Sequence, residues 1–197
     1  MEDLIAPEAD GGPARRLPLP ITTPRLVLRR LADADWKGLM ECLPDEDEQR
    51  ITQWLERDSR VKLTTPNETF YLAIELREGG NFVGFLGLRL REGRQAGINF
   101  SLHPRYEETD LPVEALDALL GFCFETVRLH RVTATLFSTD TAGIKLCEDV
   151  GMRREAVFLK DTENPEGGWL TSVWYAALEE EYLDPKVSDG RGGEPRQ

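Results

Sequence analysis

Asp140 to Glu155 reads DTAGIKLCEDVGMRRE, and upstream of it Arg105 to Ala115 reads RYEETDLPVEA. In the first stretch Asp140 stands where a helix N-cap belongs, Ala142 to Val150 carries a helix, and Gly151 fits the left-handed residue that ends one. The second stretch opens a longer helix, predicted over Leu111 to Leu129. There Leu116, Leu120, Cys123 and Val127 make one apolar stripe, and Glu114, Asp117, Glu125 and Arg128 mark the wet side. Between the two helices RVTATLF, Arg131 to Phe137, reads as a strand.

Working outward, the chain before residue 105 carries three further strand patterns separated by short glycine turns. TFYLAIEL runs from Thr69 to Leu76, FVGFLGLRL from Phe82 to Leu90 and AGINFSL from Ala96 to Leu102. Such spacing predicts an antiparallel meander. Earlier still, Ile21 to Leu31 alternates Leu26 and Leu28 with Arg25 and Arg29, a strand with one wet face. Asp33 is expected to cap a short helix, DADWKGLMECL. A second helix opens after Pro44 with an acidic run suited to its dipole. After Gly151 a hairpin pairs about 153–160 with 169–178. The order β, α, α, β, β, β, α, β, α, β, β predicts an α/β (α+β) fold, a largely antiparallel mixed sheet of about 7 strands with helices on both faces. One domain is expected over 21–183. Residues 1–20 and 184–197 read as flexible arms rich in Gly, Pro and charge.

The 197 residues carry a net charge of −12 with 40% hydrophobic content. Nucleic acid is an unsuitable partner for so acidic a chain, and no apolar run reaches membrane-spanning length. Cys42, Cys123 and Cys147 lie far apart without a CxxC pair, so neither a disulfide framework nor a metal site is expected. The acidic start, MEDLIAPEADGG, does not read as a secretory signal, and a cytoplasmic protein is the expectation. Trp169 and Trp174 are expected chiefly in the core, with a homodimer through the closing strands as the other use for them.

Six phrases in order, ITTPRLVLRRLADAD, FVGFLGLRL, INFSLHPRY, EALDALLGFCFETVRLHRVTA, LCEDVGMRREAV and GWLTSVWYAALEEEY, resemble the GNAT (N-acetyltransferase) superfamily, and within it the ribosomal-protein N-acetyltransferase-like branch. The resemblance covers nearly the whole domain. It implies transfer of acetyl from acetyl-CoA to a primary amine, carried by an amine-bearing small molecule or a protein N-terminus. It also implies catalysis by positioning and by backbone N–H groups in a splayed sheet.

Carried over residue by residue, the loop that would hold the cofactor's pyrophosphate falls on Glu107, Glu108, Thr109, Asp110, Leu111 and Pro112. The family has a basic residue where Glu107 stands, and glycines where Glu108 and Asp110 stand. A carboxylate about 4 Å from a phosphate costs on the order of 4 kcal/mol at an effective dielectric near 20. Asp110 is therefore expected to cap the long helix and fill the anion site with its own carboxylate, and a degenerate protein that only binds a ligand or partner is the alternative reading. The family's Asn and Ser on the next helix fall on Asp140 and Gly143. That leaves Asp140 and Thr141 as catalytic candidates, with Ser138 as a substitute donor. The family's active-site Glu falls on Gly97. His103 and His130 read as structural. Main-chain contacts from Phe100, Ser101 and Leu102 need no particular side chain, and Lys145, Arg153 and Arg154 offer positive charge to a phosphate.

Overall fold

In the computed structural model the residues described are 4–6, 15–17, 19–63 and 68–184. In chain order the elements are β1 (Leu4–Ala6), β2 (Arg15–Leu17), β3 (Ile21–Thr22), β4 (Leu26–Arg30), α1 (Trp36–Cys42), α2 (Glu48–Asp58), β5 (Phe70–Leu76), β6 (Phe82–Arg91) and β7 (Gln95–Leu102). There follow α3 (Leu111–Gly121), β8 (Arg131–Phe137), α4 (Thr141–Asp149), β9 (Arg153–Glu163), β10 (Trp169–Leu178) and α5 (Glu179–Leu183). Strands β3 to β10 form one sheet in the order β3-β4-β5-β6-β7-β8-β10-β9. Every pairing in it is antiparallel except β7 with β8.

The expected fold is the observed one, with eight strands in the sheet. The extra strand arises because the Thr23–Arg25 turn splits the predicted 21–31 strand into β3 and β4, which pair as a short hairpin. The expected arms lie mostly outside the described residues; in the first of them, β1 and β2 pair antiparallel. Asp33 is not a cap. It sits inside a 3-10 turn, Asp33–Asp35, whose N-cap position is Ala32.

The predicted long helix is α-helical only to Gly121 and continues as a π-turn over Phe122–Thr126, where the Val127 amide reaches the Phe122 carbonyl at 2.9 Å. Three consecutive residues cannot all face the core at regular α spacing. The wider turn lets Phe122, Cys123 and Phe124 all be buried.

Helices α3 and α4 cover one face of the sheet over a core that includes Leu28, Leu72, Leu88, Ile98, Leu116, Val132 and Tyr175. Helices α1 and α2 cover only part of the other face, over Ala73 and Phe85. Among the described residues none covers the β8–β10–β9 end of that second face. Phe137, Phe158 and Trp174 are 42%, 42% and 40% exposed there, and Phe158 packs its ring on Trp174. Both closing-strand tryptophans thus depart from the core expectation, because no helix crosses that corner. Cys42, Cys123 and Cys147 are buried and free. Burial pushes the Cys42 and Cys147 thiols up to about 12, and raises that of Cys123 as well.

Candidate functional site

The parallel ladder between β7 and β8 runs from Gln95 opposite Arg131 to Ile98 opposite Ala134 and then stops. Asn99 to Leu102 go on pairing with β6 on one side only, so the sheet opens into a wedge beyond Ile98. The His103 amide donates to the Val83 carbonyl at 2.9 Å. Main-chain groups alternate in direction along a strand, so those of Phe100 and Leu102 turn away from β6 and into the wedge. Ser101 does not join them. Its carbonyl points at β6, and its hydroxyl is spent on the Cys42 carbonyl at 3.1 Å, tying β7 to the end of α1.

At the mouth of the wedge lies the N-terminus of α3. Asp110 does not cap it. Its backbone is already helical, its side chain makes no capping hydrogen bond, and its carboxylate instead accepts from the Arg25 guanidinium at 2.8 Å. Arg25 also binds Glu114, which accepts from the Thr23 hydroxyl and the Arg25 amide as well. Glu114 is therefore a structural acid by which α3 ties down the turn between β3 and β4, not the wet-side residue its spacing suggested. Arg25 holds the Asp110 carboxyl below its ordinary range, so the group is ionised but already neutralised by a bonded cation. Glu107 and Glu108 are exposed on the loop before it. Among the described residues, Thr109 makes the only side-chain bond to the helix's first amide, a long one of 3.4 Å to Leu111. The expected self-filled anion site is absent: the carboxylate that was to plug it has been drawn to the side.

On the next helix Asp140 is the N-cap, accepting from the Gly143 amide at 2.8 Å. A Cβ at Gly143 would stand 2.4 Å from Asp140 Oδ2, so glycine there is what lets the cap close. Gly143→Ala is expected to lower stability by about 1 kcal/mol, the worth of one cap, read as a fall in urea midpoint with unchanged slope. Thr141 is exposed, and Lys145 is paired with Asp149 rather than turned to the wedge. Arg153 is occupied by Glu155 and Glu181. His103 accepts from the Arg105 amide and bonds the Glu41 carboxylate.

Beside the wedge, on the α1–α2 face, is a cavity of about 540 Å³ that local sequence patterns do not reveal. It is lined by Glu46 from the loop just before α2, Arg50, Ile51 and Trp54 of α2, Tyr71, Phe85, and Asn99 to Ser101 of β7. Trp54, Tyr71 and Phe85 meet edge to face with centroids 4.8, 5.3 and 5.9 Å apart. The absence of a side chain at Gly87 makes room for this: a Cβ there would stand 2.0 Å from Asn99 Oδ1 and 2.9 Å from the Tyr71 ring. Ile51, Trp54 and Leu55 recur at i, i+3 and i+4 along α2, a spacing that reads as an ordinary apolar helix stripe. Among the described residues no group of three or more His, Cys, Asp or Glu side chains could hold a metal ion.

Residues 25–153 match the family described as Acetyltransferase (GNAT) domain. The chain is 27% identical over 169 residues to the uncharacterised N-acetyltransferase YnaD of Bacillus subtilis (strain 168), covering 82% of this chain and 98% of that one. Its fold is similar to a GNAT-family acetyltransferase from Bacillus anthracis, with TM-score 0.71, 24% identity, and 83% of this chain and 100% of that one covered. It is similar also to the spermidine/spermine N-acetyltransferase SpeG of Vibrio cholerae, with TM-score 0.67, 15% identity, and 81% and 95% covered. With the split between β7 and β8, the helix that starts at its mouth and a family match across both, the chain belongs to the GNAT acetyltransferase family.

Proposed function

We propose that the protein transfers an acetyl group from acetyl-CoA to a primary amine. The observation that carries this reading is the wedge beyond Ile98, with the main-chain groups of Phe100 and Leu102 facing it and the aromatic cavity opening alongside. The residues fit the cofactor. Phe100 and Leu102 would hold the acyl arm and the first amides of α3 would meet the phosphate end, while the space over Gly143 is taken by the Asp140 carboxylate. Bound there, acetyl-CoA supplies an activated thioester. The chain's own part is to align an amine with it, to donate main-chain N–H bonds to its carbonyl oxygen and to keep water out. Glu107, Glu108 and Asp110 do not require a cofactor-free protein, since two of these acids turn to solvent and the third is neutralised by Arg25.

Calorimetric titration with CoA tests the reading. Binding tighter than about 100 µM is expected, and silence at millimolar concentrations would overturn it. Arg25→Ala releases the Asp110 charge at the helix start and is expected to weaken CoA about tenfold, or about 1.4 kcal/mol. Arg25→Ala,Asp110→Asn should recover most of that loss. The same reading takes the acceptor to be a small amine or a protein N-terminus. It places the protein in the cytoplasm, where three free thiols suit a reducing compartment. It also includes a homodimer through the uncovered face that carries Phe137, Phe158 and Trp174. No described helix is long and apolar enough to cross a membrane.

A further inference from the structure

The acceptor cavity has a composition of its own. Three aromatic rings form its floor, and they are packed against one another rather than around a charge. One carboxylate lines it, that of Glu46, whose Oε2 is buried from water and makes no hydrogen bond of good geometry. Its charge partner is Arg50 one turn on, with Nε 3.0 Å away and the Arg50 side chain 67% exposed. An exposed pair of this kind contributes at most about 1 kcal/mol, so a substrate ammonium group can take the Glu46 oxygen while Arg50 swings to water. The Arg50 backbone is held by the Asp47 cap, so the guanidinium that swings aside stays within side-chain reach of the mouth. A second positive charge on the substrate would then meet a guanidinium and no further lining carboxylate. Asp45, Asp47 and Glu48 are exposed outside the lining and attract any cation to the region without discriminating among them.

Building on the acetyl-transfer reading, we propose that the acceptor is a monoamine with an apolar or aromatic body. Trp54, Tyr71 and Phe85 bury the body, Glu46 pairs with the single ammonium group, and Arg50 at the rim rejects polyamines. Aromatic side chains supply large apolar contact at fixed geometry, which suits a flat or branched hydrocarbon body and adds little for a thin, multiply charged chain.

Calorimetry on the full chain without acetyl-CoA tests this with three probes: phenethylamine, spermidine and 2-phenylethanol. Phenethylamine is expected to bind at least about tenfold tighter than either of the others at roughly physiological salt. Glu46→Gln should erase the gap between phenethylamine and the alcohol while leaving the melting temperature unchanged. Trp54→Leu should weaken both ligands together. Spermidine binding as tightly as phenethylamine, no detectable binding of phenethylamine, or a Glu46→Gln variant that keeps the amine–alcohol gap would each overturn the proposal. Should Trp54→Leu fail to fold, the Glu46→Gln comparison alone decides. Because no cofactor is present, a chain that takes phenethylamine but not CoA would sink the acetyl-transfer reading and leave a monoamine-binding site in place of an acceptor site, whereas a chain that takes CoA but not phenethylamine would overturn this proposal alone.

Discussion

Gly84→Ala should cost the fold about 2–4 kcal/mol, lowering the melting temperature by roughly 5–15 °C for a domain of this size. Gly84 lies in β6 opposite Leu102, at φ +155, a conformation that side chains rarely adopt. A Cβ there would stand 2.5 Å from the Ser101 carbonyl oxygen and 3.0 Å from the Leu102 Cα. Both neighbours are backbone, so neither can rotate away, and relief requires β7 to move as a unit. That segment of β7 presents Phe100 and Leu102 to the wedge, so the variant is expected to lose CoA binding beyond what its lower stability explains. Calorimetry well below the new melting point checks this. An unchanged melting temperature would mean that β6 and β7 are not held as close as the geometry requires.

The second large effect concerns Asp58, the last residue of α2. Its carboxylate is buried, with the residue 2% exposed, and neither oxygen makes a hydrogen bond of good geometry, the Tyr71 main chain coming nearest to one. Arg30 lies 3.5 Å from Oδ2, but donates to the main-chain oxygens of Asp58 and Val61 and rests over the Phe70 ring. Burial pushes the Asp58 carboxyl from its ordinary 3.8 up to about 6, the Arg30 charge pulling the other way. The folded state therefore holds this proton more tightly than the unfolded one. Its contribution to stability is fully present below pH 3.8 and is lost as pH rises towards 6. A shift of that size corresponds to about 3 kcal/mol. Asp58→Asn should accordingly gain up to that amount relative to wild type at pH 8, and much less at pH 4, in urea denaturation. With so many other acids titrating in this range, the variant-minus-wild-type difference is the quantity to plot. A difference that stays flat with pH would show that the carboxylate is solvated.

Much of this architecture can be read from residues near one another in the chain. The strand in FVGFLGLRL, the stop at Gly151 and the cap at Asp140 depend on local backbone chemistry, and each sits where the local pattern placed it. Legibility fails where distant segments meet. Asp110 looks like a plug for its own helix until Arg25, far back in the chain, draws its carboxylate aside. Trp174 looks like core until the sheet order puts β10 beyond the reach of α1 and α2. The π-turn answers a packing demand at Phe122 to Phe124 that no helical propensity encodes. The cavity has no motif at all, since α2 and β7 each lend it three residues and β5 and β6 one apiece.

The three sequestered thiols have a practical corollary. Each sulfur is shielded and held in its protonated, unreactive form, so a disulfide dye such as Ellman's reagent finds little to attack on the native polypeptide. A colour change during turnover would then report free coenzyme leaving the protein, and a slow rise without an acceptor would report unfolding. One cuvette can follow both fates.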